Sequence, residues 1–215
     1  MRFEKLTGVV MAVLAEEFEV APRLDQLRVT KAELLQVVRA AVGARRNATP
    51  FHPLSAGGLL AYLAGTEHLR RVFLPQGWQT CRRDNIESIF HAEIGIKIVY
   101  QNADRAGDPI CDPIAVSKKG AGAARAVELG QYDLFPEVRE QEVAEITAAT
   151  WYLFVYADGA DVRAELSCPV AINDEQFDQF HERILLVRKG DWDNPDPLAD
   201  DAPPVDFEVS VSRKN

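Results

Sequence analysis

Two hydrophobic periods run along this chain, and one gives way to the other near Phe90. Before that point apolar residues recur at helical spacing. Leu6, Val9, Val10, Val13, Leu14 and Phe18 fall on one stripe of an amphipathic helix. Glu4 beside Arg2 and Lys5, and Thr7-Gly8 inside the apolar run, favour that helix over a secretory signal. A loop is expected from about Glu19 to Arg28. Thr30 and Glu33 then form a capping box, with Val29 and Leu34 placed as its hydrophobic staple. The helix that starts there carries Leu34, Val37, Val38, Ala41 and Val42, and Gly43 offers its stop. Thr49-Pro50 and His52-Pro53 enforce non-helical backbone. Ser55 can cap a short helix with Leu59, Leu60 and Leu63; Gly65-Thr66 breaks it, and another helix through Leu69, Val72 and Phe73 stops at Pro75.

From Phe90 to Gln101 the period is two: Phe90, Ala92, Ile94, Ile96, Ile98 and Tyr100 alternate with His91, Glu93, Gly95, Lys97, Val99 and Gln101, which predicts one long strand with a buried face. Ala123 to Leu129 predicts a helical turn or two. Trp151 to Tyr156 is apolar on both faces and reads as a central strand. Asp158-Gly159 predicts a tight connection to a third strand, Val162 to Ile172, whose Pro169 marks an edge or a bulge. Asp174 can cap a short helix with Phe177, Phe180 and Ile184, with a strand beginning at Leu185. An acidic, proline-rich stretch from Asp191 leads to a last strand, Val205 to Val211. Helices grouped before strands predict an α+β fold, N-terminal helices packed with a mainly antiparallel sheet. A single domain is expected, residues 1–80 forming a helical N-terminal subdomain and 88–215 the sheet-containing part.

Composition changes this picture little. The chain has 215 residues, 47% of them apolar and 27% charged, which is globular composition. No apolar run approaches the roughly 20 residues of a membrane-crossing helix, so no membrane partner is expected. Three scattered cysteines, Cys81, Cys111 and Cys168, suggest reduced thiols and a cytoplasmic location.

Charge changes it more. The net charge of −9 divides as +3 over residues 1–80, +1 over 81–125 and −13 over 126–215. A polyanion would be repelled by residues 126–215 and met only by what precedes them, where the doublets Arg45-Arg46, Arg70-Arg71 and Arg82-Arg83 are the candidate contacts.

Catalytic patterns are weak. His52, His68, His91 and His181 stand isolated, and no zinc-type spacing of Cys or His occurs, so neither a metal site nor a cofactor is expected. His91, Glu93 and Lys97 share the polar side of the first strand. Asp84, Glu87, Glu93 and Lys97 supply the residue types of a metal-dependent nuclease, yet four residues on a strand separate Glu93 from Lys97 by roughly 13 Å. Ser117-Lys118-Lys119-Gly120-Ala121-Gly122 is basic and glycine-rich but lacks the Gly-Lys-Ser/Thr order of a phosphate-binding loop, so Lys118 and Lys119 belong to a turn that could meet an anion. With no coherent catalytic constellation, the sequence points to a non-catalytic binding or assembly protein that meets a protein partner or a second copy of itself. The aromatic strand Trp151, Tyr152, Phe154, Tyr156 offers faces for core and interface. The alternative is a nucleic-acid-binding or metal-dependent nucleic-acid-processing protein using the arginine doublets and the Asp84–Lys97 region.

Overall fold

The computed structural model describes residues 12–83, 85–129, 145 and 147–192. In chain order the elements are strand β1 (Ala12–Leu14), helices α1 (Glu17–Gln26), α2 (Lys31–Arg46) and α3 (Ala56–Phe73), and strands β2 (Gln79–Cys81), β3 (Ser88–His91), β4 (Ile96–Asp104) and β5 (Ile114–Ala115). Helix α4 (Ala121–Leu129) and strands β6 (Ala149–Asp158), β7 (Asp161–Asn173) and β8 (Gln176–Val187) complete them. The sheet runs β1-β8-β7-β6-β4-β3-β2, with β5 paired to β4. The elements fit an α+β composition, but the sheet is mixed and not mainly antiparallel: β1–β8 and β4–β6 pair in parallel. A long connection that contains α4 joins β4 to β6, as a parallel pair requires.

Where local chemistry is strong, the chain follows it. At the start of α2, Thr30 Oγ1 accepts from Glu33 N at 3.3 Å, and Glu33 Oε2 accepts from Thr30 N at 2.8 Å. The helix runs past Gly43 to Arg46, because Leu34, Val37, Val38, Ala41 and Val42 hold the turns that precede the glycine to the core. Each such Leu or Val contributes about 1.5–3 kcal/mol on burial, more than the roughly 1 kcal/mol that a glycine costs a helix. Helix α3 likewise continues through Gly65-Thr66. The expected loop at residues 19–28 is mostly α1, with Pro22 inside it. Of the expected first helix, residues 1–11 lie outside the described residues; Val13 and Leu14 form β1, and Phe18 is exposed.

The expected strand from Phe90 to Tyr100 is a hairpin, in which His91 pairs with Ile96 and Gly95 takes φ +58° in the turn. The expected helix after Asp174 is strand β8. Asp174 and Glu175, with φ +47° and +62°, make the two-residue turn favoured between twisted antiparallel strands. A bulge at Cys168–Pro169 and a left-handed Gln179 (φ +58°) interrupt the alternation, so Phe177 and Phe180, three apart, both reach the same core. The expected strand Val205 to Val211, and the acidic stretch from residue 193 onward, lie outside the described residues.

Apolar clusters lie on both faces of the sheet. Leu34, Val37, Val38 and Ala41 of α2 share one with Ile98, Tyr100, Trp151 and Leu153. Tyr152, Phe154, Phe177, Phe180 and Val127 share the other, where the Tyr152 and Phe177 rings stand 4.5 Å apart. On that second face lie Glu165 and Arg183, both fully buried. Glu165 Oε1 accepts from Ser167 Oγ at 2.8 Å and Arg183 Nε at 2.9 Å; its Oε2 accepts from Arg183 Nη2 and Gly107 N, each at 2.7 Å. Arg183 also donates to Asp108 O at 2.8 Å and Asp112 Oδ1 at 3.2 Å. The pair therefore fastens the segment between β4 and β5 to β7 and β8. Gly107 is required there: φ is +67°, and a Cβ would stand 2.3 Å from Val187 O.

Glu165→Ala strands a buried guanidinium and is expected to lower stability by about 3–5 kcal/mol, read from urea denaturation. Asp112→Ala, at a side chain 45% exposed, is expected to cost under about 1 kcal/mol. Similar losses in the two variants would contradict this account of the network.

Candidate functional site: the apolar face of α3 and β5

Helix α3 meets the sheet through Ala61, Gly65, Leu69 and Phe73, all buried and spaced four apart. Gly65 is there for contact: a Cβ at that position would stand 2.4 Å from the Tyr100 ring. This stripe, and not the expected Leu59–Leu63 stripe, faces inward. Leu59 and Leu63 are exposed at 57% and 55%.

Phe51, Leu54, Leu59, Leu63 and Leu74 are exposed in one segment, and Ile110, Ile114 and Val116 in another. Among the described residues only Phe18 joins them as an exposed large apolar side chain, so the exposure is concentrated. The two segments meet at Asn102. Its Nδ2 donates to Gly58 O at 2.8 Å, its Oδ1 accepts from Tyr100 Oη at 3.1 Å, and its carbonyl accepts from Val116 N at 3.1 Å. Asn102 thus ties the start of α3, through its side chain, to Val116 just past β5, through its backbone carbonyl, and burial raises the pKa of the Tyr100 phenol that supports it.

Toward its C-terminal end α3 lines a cavity of about 680 Å³ with Tyr62, Leu63, Thr66, Arg70, Leu74 and Pro75, joined by Glu67, Arg71 and Glu87. Arg70 and Arg82 both bond Glu87, the latter at 3.2 Å, and Arg71 Nε donates to Glu67 at 2.9 Å. The Arg70 hydrogen bond, followed by Arg82, holds the Glu87 carboxyl below its usual pKa. Two of the three doublets therefore converge. The third does not: Arg45 packs on Gly57 near the N-terminal end of α3, and Arg46 donates to Gly159 O at 3.4 Å. Position 57 lies roughly 20 Å along the helix from position 70. Arg83 follows Arg82 in the loop between β2 and β3.

The other sequence candidates scatter. His91 and Glu93 line a separate cavity of about 630 Å³ with Asp25, Arg28, Thr30, Glu33 and Trp78. The His91 ring meets Trp78 edge-on at 5.1 Å. Its polar wall already serves the helix ends, since Glu33 caps α2 and accepts from Gln76 Nε2 at 2.8 Å. Lys97 is buried and paired opposite Phe90, while Glu93 sits in the hairpin turn. Asp84 is outside the described residues. Lys118 pairs with Glu175. Lys119 bonds the Gln101 amide oxygen and lies 5.2 Å from the Phe177 ring centre; burial pushes its amine down to about 8. Among the described residues no group of three or more His, Cys, Asp or Glu is placed to hold a metal, and no helix is long and apolar enough to cross a membrane. No protein family, characterised protein or solved structure matches the chain.

Sequence reasoning missed Asn102, Thr66 and the outward leucines. One signal was present: residues 59–64 are apolar without a break, too wide a band for a helix with one buried stripe.

Lys119 gives a pH test. Between about 8 and its ordinary 10.5 the folded chain holds this proton less than the unfolded one, so the group opposes folding below pH 8 and stops doing so as pH rises to 10.5. The stability of Lys119→Met relative to wild type is expected to fall across that window, as read from urea midpoints. A margin independent of pH would reject the assignment.

Proposed function

We propose that the chain is a non-catalytic binding or assembly protein that acts through protein–protein contacts on the α3–β5 face. The observation that carries this reading is the gathering of Phe51, Leu54, Leu59, Leu63, Leu74, Ile110, Ile114 and Val116 in two segments joined by Asn102. Their summed exposure is on the order of 800 Å², close to one partner's share of a standard interface. The aromatic strand contributes to the core in this reading, since Trp151, Tyr152 and Phe154 are buried.

The nucleic-acid alternative draws on the convergence of Arg70, Arg71 and Arg82. Glu67 and Glu87 already hold these three, so a polyanion would have to displace two carboxylates to reach them.

Leu59→Glu/Leu63→Glu places two charges on the face at half-exposed positions. The variant is expected to keep the wild-type circular dichroism spectrum while losing whatever the wild type holds, a second copy in light scattering or a partner in quantitative capture. Identical mass and identical bound proteins for the two chains would dispose of the reading. Salt-sensitive retention of single- or double-stranded DNA or RNA at low ionic strength, abolished by Arg70→Ala/Arg71→Ala, would favour the alternative.

A further inference from the structure

The cavity beside α3 narrows what the face can hold. Its wall is apolar at Tyr62, Leu63, Leu74 and Pro75 and polar at Thr66 and Arg70. Thr66 is 7% exposed, and its Oγ1 is buried with no hydrogen-bond partner; Arg70 Nε is in the same state. Buried polar groups are seldom left unpaired. These two lie four residues apart on one helix, hence side by side, and both can donate. Arg70 Nη2 is taken by Glu87, which leaves the Nε edge of the guanidinium as its unused donor. The charged groups that line the cavity, Arg70 and Arg71 against Glu67 and Glu87, balance in sign, so the two unpaired donors set what it can receive.

We propose, resting on the docking reading above, that this cavity receives a segment of a partner protein in which an apolar side chain and a carboxylate lie about one helical turn apart. The apolar side chain packs among Tyr62, Leu63, Leu74 and Pro75. The carboxylate accepts from Thr66 Oγ1 and Arg70 Nε, the two buried groups left without a partner. A cationic group has no lone pair to offer Arg70 Nε, and a neutral amide accepts without the added strength of a charge-assisted bond. The apolar wall gives a bare polyanion nothing to pack against.

The probes are fluorescein-labelled, alanine-rich helical peptides carrying Leu and Glu four residues apart in either order, with Gln or Lys replacing Glu in matched controls, and binding is read by anisotropy. One Glu peptide is expected to bind the wild-type chain at least about tenfold more tightly than its Gln control, with the Lys control weakest. Thr66→Val and Arg70→Lys are expected to shrink the Glu-over-Gln preference while both peptides still bind. Leu63→Ala is expected to weaken Glu and Gln peptides alike and leave their ratio intact. Equal binding of Glu and Gln peptides, no binding at millimolar peptide, or a full preference surviving in both Thr66→Val and Arg70→Lys would overturn the proposal. Stronger competition by a short oligonucleotide than by the Glu peptide would overturn it in favour of a nucleic acid. If these peptides fail while Leu59→Glu/Leu63→Glu still abolishes capture or self-association, only the carboxylate assignment falls; if that variant also changes nothing, the docking reading falls with it.

Discussion

Helix α3 can lie against the sheet only because position 65 has no side chain. With the Tyr100 ring filling the space where a Cβ would be, the helix settles on Ala61, Gly65, Leu69 and Phe73, and its orientation is fixed to within a fraction of a turn. Everything distinctive about the outer surface follows. Leu59 and Leu63 turn outward, and Thr66 and Arg70 come to line one cavity. Tyr100, held under the helix, presents its hydroxyl to Asn102, which bonds both Gly58 and Val116, just past β5. A close backbone approach on the inside thus sets the geometry of an exposed face on the outside.

That face differs from a catalytic centre in how its polar groups are used. The capping residues near His91 and Glu93 are engaged with one another, and both arginines of α3, Arg70 and Arg71, are paired with glutamates. What the α3–β5 face offers in quantity is apolar area on firm supports. Asp108 Oδ1 accepts from the amides of Ile110 and Cys111 at 2.8 and 3.1 Å, which fixes the local backbone at the exposed Ile110. A surface ordered before binding loses less conformational freedom when a partner arrives.

The sequence disclosed those parts of the fold whose signals are local. Thr30 and Glu33 announced α2 through a reciprocal pair of hydrogen bonds, and Asp158-Gly159 announced the β6–β7 connection. The charge counts placed the arginines, but not their convergence on Glu87, which needs the helix and the β2–β3 loop to meet in space. The errors have physical causes as well. Gly65 read as a breaker because its partner, Tyr100, is 35 positions away. Ala92 to Gly95 hid a turn because the alternation continues through it, and Phe177, Phe180 and Ile184 imitated a helix because a bulge puts Phe177 and Phe180, three apart, on one face while Ile184 reaches the other. Asn102 carried no signal at all, since its role depends on three partners that only the tertiary structure assembles.

The Glu165–Arg183 pair also bears on the order in which the chain folds. Its ligands come from β7, β8 and a segment some 58 residues before Glu165, so Gly107 N and Asp108 O have no partners in this network until the β7–β8 hairpin exists. The turn at Asp174-Glu175 brings Glu165 and Arg183 together over a short span of chain, whereas the return of residues 107–112 closes a far longer loop. The ledge bearing Ile110, Ile114 and Val116 is therefore among the last parts to be completed, while the leucines of α3 lie on a helix that needs far less of the chain. A molecule in which that loop has not closed would lack the Ile110–Val116 half of the face, and a partner that required both halves would distinguish finished molecules from unfinished ones.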